Sequence, residues 1–380
     1  MKSPRSESIA QPYRQRQERL SQAIIANSLD AIVLAPGPSL EYLTGLKFHL
    51  SERPVIAIFL PDRPVFIIHP ELESAKLIDL PYPIHSHAYG EDPKGWEMSF
   101  EQALGAAGIS PGMRVGIEPR HLRMLEFNLL KTAAPRTDFV TAETVISTLR
   151  IQKDETEISA MRKAVDIAQQ ALIAVLPEIK IGMTEREIAA QLTIELLRAG
   201  SEAEMPFSPI VSSGANSANP HAVPSDRRLQ AGDLLVIDWG AKYLGYCSDL
   251  TRTFAVGRVE PEFRRIAEIV LAANRAGCSA ARPGIAAGVI DRTARAVIAQ
   301  AGYGSHFIHR TGHGLGLESH EEPYLYSENS TLLAPGMVFT VEPGIYLPGN
   351  NGVRIEDNLV VTETGAECLS SLPRELQVIG

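Results

Sequence analysis

Two segments far apart in the chain follow one plan. "GMTEREIAAQLTIELLRAG" runs from Gly182 to Gly200 and "GIAAGVIDRTARAVIAQAG" from Gly284 to Gly302, each pair of glycines eighteen positions apart. A long helical pattern precedes each, Glu155 to Leu176 and Glu262 to Ala280, and a β-rich segment follows each. Helix, turn, helix, then strands, stated twice, predicts a duplicated half-domain with pseudo-two-fold symmetry, because one copy alone cannot bury its apolar faces. Two unrelated helix pairs are the competing reading. Asp154 is placed to cap the first long helix, Thr184 and Glu187 form a capping-box pattern, and Gly200 sits where a helix stops.

The duplication occupies only the second part of the chain. A length of 380 residues exceeds one ordinary core and suits two domains. In the first part, "RQERLSQAIIANSL" has helical periodicity, "DAIVLA" and "RVGIE" read as strands, and a helical run spans Leu122 to Thr132. "VIAIFL" and "PVFII" flank "PDR", which is a hairpin signal. Residues 1–148 therefore read as a small α/β domain with no chemical motif, and residues 149–380 as the duplicated domain, α+β overall.

Bulk properties exclude several functions. The hydrophobic fraction is 44% and the charged fraction 21%, which is ordinary globular composition. A net charge of -9 without a basic tract argues against nucleic acid and anionic membrane as partners. Three scattered cysteines (Cys247, Cys278, Cys368) give neither a disulfide framework nor a zinc-ribbon spacing. The opening "MKSPRSESIAQPYRQRQERL" has no apolar run, and no segment approaches membrane-spanning length, so the chain is expected to be soluble and cytoplasmic. Its first dozen residues are expected to fray.

Acidic residues recur in the β-rich segments. In "DLLVIDWGAKYLGYCSDLTRTFAV", a hairpin centred on Tyr243-Leu244 would set Asp238 opposite Asp249. Cross-strand Cβ atoms lie about 4.5–5.5 Å apart, so the two charges would repel unless a cation joined them. Solvent-facing aspartates are the alternative. In "MVFTVEPGIYLPGNNGVRIEDNLVV", Glu342 ends an apolar strand, "PGNNG" is a turn, and Glu356 follows with Arg354 two residues earlier on the same face.

Between the halves lies "TGHGLGLESHE", with glycines at alternate positions around His313 and a second histidine, His320. Four carboxylates and one imidazole make a coherent ligand set. Four negative charges are matched by two divalent ions, whereas one would leave like charges crowded. Oxygen-rich ligation with one imidazole suits Mn²⁺, Fe²⁺, Co²⁺ or Zn²⁺ in a catalytic rather than structural role. Two ions about 3.5–4 Å apart can hold a bridging hydroxide and polarise a carbonyl, which is hydrolytic chemistry. "HRTGH" lacks the glutamate of a zincin helix, and neither a nucleophile elbow nor a phosphate-binding glycine loop occurs.

From about Ile151 onward the chain resembles the pita-bread (M24-type) metallopeptidases, the family of methionine aminopeptidase, Xaa-Pro aminopeptidase and Xaa-Pro dipeptidase (prolidase). The resemblance is carried by "VIDWGA", "SDLTRTFAV", "GHGLGLESHE", "VEPGIY" and "GVRIEDNLVV". It implies a catalytic pita-bread domain over 149–380 and a creatinase/prolidase-like α/β domain over 1–148. It implies that Asp238 chelates one ion, that Asp249 and Glu356 bridge both, and that His313 and Glu342 bind the other, with Glu342 also relaying a proton. "NPHAVPSDR" resembles the family's HxxP segment, so His221 is expected to contact the scissile carbonyl and His320 to be the second active-site histidine. His309, Tyr346 and Arg354 match substrate-side positions of the proline-specific branch, and His309 and Arg354 are candidates to read a substrate carboxylate. The glycines around His313 are read as letting the backbone pass close to the dimetal centre and leaving room for substrate.

The activity the resemblance implies is hydrolysis of an Xaa-Pro imide bond in a dipeptide or short peptide by a prolidase-like homodimer, with Mn²⁺ or Co²⁺ favoured and Zn²⁺ or Fe²⁺ as alternatives. An Xaa-Pro aminopeptidase acting on longer peptides is the runner-up. A lyase or a peptide-binding protein on the same fold is the third reading, and the complete ligand set disfavours the binding protein.

Overall fold

The two helices of the first copy begin at side-chain capping boxes, and the second of them ends at a glycine. The structure, a computed structural model, describes residues 4–380, with side chains from residue 11. Asp154 Oδ1 accepts from the Thr156 and Glu157 amides at 2.9 Å, and Glu157 Oε2 accepts from the Asp154 amide at 2.8 Å, opening helix Glu155–Val175. Thr184 and Glu187 form the same reciprocal box before helix Glu185–Ala199. Gly200 closes that helix in the left-handed region at φ 106. The second copy comprises helices Pro261–Ala280 and Gly288–Gln300. The boundary glycines Gly182, Gly284 and Gly302 are left-handed too.

By its internal contacts the chain divides into Met1–Arg150 and Ile151–Gly380. In the first unit a six-stranded mixed sheet runs in the order Ile84–Tyr89, Val65–Pro70, Ile56–Phe59, Ala31–Leu34, Arg114–Ile117, Asp138–Thr141. The hairpin signalled by "PDR" is present, with Ile56 opposite Ile68. Phe100, Leu104 and Leu130 pack the core against Ile56, Ile58 and Ile68. The expectation that the first dozen residues fray is corrected: helix Pro4–Ala26 begins at Pro4, and residues 1–3 lie outside the described residues. Pro12 falls inside that helix.

The second unit holds two sheets of related design. One runs Gln377–Ile379, Leu250–Val256, Leu234–Trp239, Ile210–Ser213, and the other Glu321–Leu325, Gly312–Gly314, Val338–Val341, Asp357–Val361, Ala366–Cys368. In each, two antiparallel strands are joined through a smaller hairpin. Lys242–Tyr243 and Tyr246–Cys247 interrupt the first connection, Gly344–Tyr346 and Gly352–Arg354 the second. A bridge between Thr251 and Glu356 joins the two sheets. Trp239, Leu192, Leu196 and Leu172 fill one core beneath the first helix pair, and Phe339, Ile290 and Val341 belong to another beneath the second. Among the described residues no helix is long and apolar enough to cross a membrane.

Candidate metal centre

The duplication puts two acids at matching places in each half. Asp238 lies near the end of strand Leu234–Trp239, and Asp249 just before strand Leu250–Val256. Glu342 follows strand Val338–Val341, and Glu356 precedes Asp357–Val361. Each pair therefore flanks a small inserted hairpin, and the bridge at Thr251 and Glu356 draws the two pairs together.

The expected register of the first hairpin is corrected. Its turn falls at Leu244-Gly245, with φ of 49 and 82, and Tyr246 pairs with Tyr243. A two-residue turn of this kind needs positive φ at both central residues, and glycine supplies one of them without strain. The strands are consequently shifted by two positions from the expected pairing, and Asp238 faces Thr251 rather than Asp249. The carboxylates converge all the same. Asp238, Asp249 and Glu356 each offer an oxygen within 4.8 Å of the others; a ring nitrogen of His313 lies equally close to oxygens of Glu342 and Glu356, and His313, His320 and Asp249 form a third such group.

These groups line one cavity of about 640 Å³. His221, His309, His320 and Arg354 line it too, while Tyr346 stands behind the wall. Inside, the groups cannot satisfy one another. His313 Nδ1 lies 3.1 Å from the Gly314 carbonyl and must be its donor, which leaves the Nε2 lone pair outward. That Nε2 is 3.4 Å from Glu342 Oε1 and 3.7 Å from Asp249 Oδ2. Burial, reinforced by His320, holds the His313 pKa well below the ordinary histidine value, so the ring is neutral and three lone-pair donors converge. Burial and then the Glu356 charge push the Asp249 pKa well up, and burial and then Glu342 do the same to Glu356. Burial raises Glu342 to about 7. Asp238 Oδ1 is buried without a hydrogen-bond partner. Hard oxygens and one imidazole with an outward lone pair suit divalent ions, and the orphaned oxygen fits the same purpose.

Around the acids runs a continuous chain of hydrogen bonds. Arg354 donates from Nη2 to Asp238 Oδ2 at 2.6 Å, from Nε to Thr251 Oγ1 at 3.1 Å, and from Nη1 to Tyr346 Oη at 2.9 Å and the Pro220 carbonyl at 3.3 Å. Thr251 passes its own hydroxyl proton toward Glu356 Oε2 at 2.7 Å. Tyr346 Oη is 2.8 Å from His309 Nε2, and His309 Nδ1 is 2.7 Å from the Arg310 carbonyl. His309 is thus committed on both nitrogens, and burial followed by the Arg354 charge lowers its pKa to about 4. The His320 ring lies 3.8 Å from that of His313, centroid to centroid. His221 is exposed, and its main-chain amide donates to Asn219 Oδ1 at 3.1 Å.

Two buried carboxylates brace the segments that bring these histidines in. Glu185 accepts from the Ser213 amide at 2.7 Å and the Ser225 amide at 3.0 Å, closing the base of the segment that carries His221. Asp291 accepts from the Thr311 amide at 3.0 Å and from Arg295 Nη2, also at 3.0 Å. Arg295 in turn donates to the His309 carbonyl at 2.7 Å. Both acids sit in the first turn of the second helix of their copy.

The alternate glycines are required by close packing of the protein itself. A Cβ on Gly312 would lie 2.0 Å from the Thr340 carbonyl oxygen, and one on Gly314 2.2 Å from that of Glu322. On Gly316 it would meet Glu321 Oε1 at 2.6 Å and Lys153 Cε at 2.9 Å, the two ends of a buried ion pair. Neighbouring strands and that pair are what a side chain at these positions would meet.

Sequence reasoning passed over Thr251, Thr340, Glu185, Asp291 and Arg310. The threonines had a signal: Thr251 stands two residues after Asp249 and Thr340 two before Glu342, the spacing of a common strand face. Thr340 Oγ1 accepts from the His313 amide at 3.2 Å and lies 3.5 Å from Glu342 Oε1.

Comparison with known proteins agrees with this geometry. Residues 159–363 match the model of metallopeptidase family M24, and residues 16–152 that of the creatinase/prolidase N-terminal domain. The chain is 38% identical over 355 residues to an Xaa-Pro dipeptidase of Pyrococcus horikoshii, covering 92% of this chain and 95% of that one. The solved structure of a prolidase from Thermococcus sibiricus superposes with a TM-score of 0.90 at 35% identity, over 97% of this chain and 99% of that chain. An X-Pro aminopeptidase from Thermotoga maritima gives a TM-score of 0.83 at 31% identity, over 96% and 99%. With its duplicated pita-bread domain behind a creatinase/prolidase N-terminal domain, the chain belongs to metallopeptidase family M24.

Proposed function

We propose that this protein hydrolyses the Xaa-Pro imide bond of dipeptides or short peptides, using two divalent ions held by Asp238, Asp249, His313, Glu342 and Glu356. The observation that carries the reading is the gathering of four carboxylates and the His313 lone pair into overlapping groups that share Asp249 and Glu356, with Asp238 Oδ1 left without a partner. The names of the relatives, an Xaa-Pro dipeptidase and a prolidase, support the substrate class. Mn²⁺ or Co²⁺ is the preferred pair, with Zn²⁺ or Fe²⁺ as alternatives, and a cytoplasmic homodimer is the proposed form on family resemblance.

Bound divalent ions supply an activated water and a polarised carbonyl. The side chains do the rest. Asp249 and Glu356 belong to the oxygen cluster at the middle of the site and are assigned the shared positions. Arg354 holds one oxygen of Asp238 at 2.6 Å and so leaves the other for a ligand. The imide nitrogen of proline has no N–H and must gain a proton as it leaves, and Glu342 is the carboxylate assigned to relay it. His221 and His320 line the cavity and are assigned to the scissile carbonyl, where a hydrogen-bond donor stabilises developing negative charge.

The likeness to an X-Pro aminopeptidase favours a second reading, in which peptides extended beyond proline are cleaved. The test is metal-stripped protein reloaded with Mn²⁺ or Co²⁺ and assayed on an Xaa-Pro dipeptide and an Xaa-Pro tripeptide. Activity should vanish on stripping and return on reloading, with the dipeptide the better substrate. Full activity in metal-free protein, or none on either peptide after reloading, overturns the reading.

A further inference from the structure

We propose that Arg310 is the group that reads the free C-terminal carboxylate of the substrate, an inference that rests on the Xaa-Pro peptidase reading. A dipeptide presents a carboxylate one residue past the scissile bond, and a cavity rich in acids needs a cation to receive it.

The lining offers two arginines, Arg310 and Arg354. Arg354, a candidate from sequence, is already engaged: its guanidinium serves Asp238, Thr251, Tyr346 and the Pro220 carbonyl. Withdrawing it would strand the buried Asp238 charge. His309, the other candidate, is neutral and committed on both nitrogens. Neither is free to take a substrate charge.

Arg310 differs on each count. Among the described residues no carboxylate or carbonyl accepts from its guanidinium, and its recorded partner is the face of Tyr324, with Cζ 4.2 Å from the ring centroid. Stacking of this kind fixes the plane of the group. It leaves the N–H edge available, which is the geometry that grips a carboxylate through two parallel bonds. Both supports are anchored locally. The Arg310 carbonyl accepts from His309 Nδ1 at 2.7 Å, and the Tyr324 amide donates to Glu322 Oε2 at 3.1 Å. Arg310 lines the same cavity as His320 and Glu342. Ile308, two residues earlier and 65% exposed, lines the same cavity with Phe207 and Ile210 and gives an apolar surface for a proline ring.

The test uses the metal-loaded full chain as wild type, Arg310→Ala and Arg310→Lys. Ala-Pro and its C-terminal carboxamide are compared by kcat/KM, and a reduced-bond, non-hydrolysable Ala-Pro analogue and its carboxamide by calorimetric Kd. Wild type should favour the free acid in both readouts by roughly 10- to 100-fold, the scale of one charge-assisted contact. Arg310→Ala should lose that preference, the fall in kcat/KM on the free acid exceeding the fall on the carboxamide by the same factor. Arg310→Lys should recover part of the preference. Equal losses on acid and amide in Arg310→Ala, or a preference that survives it, overturn the assignment while the peptidase reading stands. Wild type that cleaves the amide as well as the acid does the same and favours the aminopeptidase. Wild type inert on both overturns the peptidase reading and the assignment with it.

Discussion

Glu356 and Asp357 are consecutive acids with opposite fates. Glu356 lines the cavity and accepts from Thr251 Oγ1 at 2.7 Å. Asp357 turns away from it, accepting from Arg252 Nη2 at 2.8 Å, Arg374 Nε at 2.6 Å and Asn274 Nδ2 at 3.1 Å. Successive side chains of a strand point to opposite faces, so one step in sequence separates a ligand site from a structural ion pair. Burial works to raise both pKa values. Arg252 and Arg374 outweigh it at Asp357 and hold that group below the usual carboxylate range, whereas the acids around Glu356 add to it.

That contrast predicts separate phenotypes. Arg252→Ala leaves the Asp357 charge buried against one fewer cation and should cost about 3–5 kcal/mol, the usual cost of breaking a buried pair. Glu356→Gln removes a repelling charge. It should leave the metal-free protein at least as stable as wild type and abolish binding at the shared metal position. Denaturant unfolding of metal-free protein and elemental analysis read the two effects. Equal destabilisation by both substitutions would refute this division of labour.

Metal-free protein should lose stability as pH rises above 6.5. The pKa values of Asp249, Glu342 and Glu356 are raised on folding, so each contributes stability below its unfolded value that is lost as pH climbs through the folded one. For Glu342 that window runs from 4.5 to about 7. His309 has the opposite sign: lowered to about 4, its contribution is complete above 6.5 and is lost as pH falls. The two trends oppose between 4.5 and 6.5, and above that only the carboxylates act. Divalent ions should displace the protons, flatten the dependence and raise the Tm. Melting scans from pH 6.5 to 8, with calorimetric titration in two buffers of different ionisation enthalpy, measure both. Metal uptake without proton release would contradict the raised carboxylates.

The features legible in sequence were those written locally. The cap at Asp154 and the capping box at Thr184 are each written within four residues, and the glycine-bounded helices repeat within one window. The hairpin register was not legible. Its turn is fixed by which residue tolerates positive φ, and Gly245 moved it one position beyond the midpoint of the two aspartates. Arg354 was recognised as near the site, but its bond to Asp238 was not, because the two lie 116 residues apart in sequence. The bracing role of Glu185 was hidden for the same reason: its partners Ser213 and Ser225 are 28 and 40 residues distant. Long-range pairing decides which charged groups are available, and one sequence does not display it.

His221 should separate chemistry from metal binding. It lines the cavity, and it is absent from the groups of side chains that could hold an ion. His221→Ala should keep full metal content and lower turnover by roughly 10²–10³, the usual cost of losing one donor to a developing charge. Steady-state kinetics and elemental analysis on the same preparation test it. An unchanged turnover number would return His221 to a surface role.

The glycines of the His313 strand should be intolerant for reasons of packing, and a control lies elsewhere in the chain. A Cβ at Gly312 would sit 2.0 Å from the Thr340 carbonyl oxygen and 3.0 Å from Thr340 Oγ1. Backbone must move to admit it, and overpacking of this kind costs about 1–3 kcal/mol. The displaced strand carries His313, whose amide donates to that same Thr340 hydroxyl at 3.2 Å, so metal affinity should fall together with stability. Gly105, inside helix Trp96–Ala107, would meet nothing within 4 Å. Gly105→Ala should therefore stabilise by about 0.5–1 kcal/mol, because alanine loses less backbone entropy in a helix. Chemical denaturation of both variants, with metal titration of Gly312→Ala, distinguishes close packing from a general preference for glycine. A Gly312→Ala protein with native stability and native metal affinity would show that the strand has room to relax.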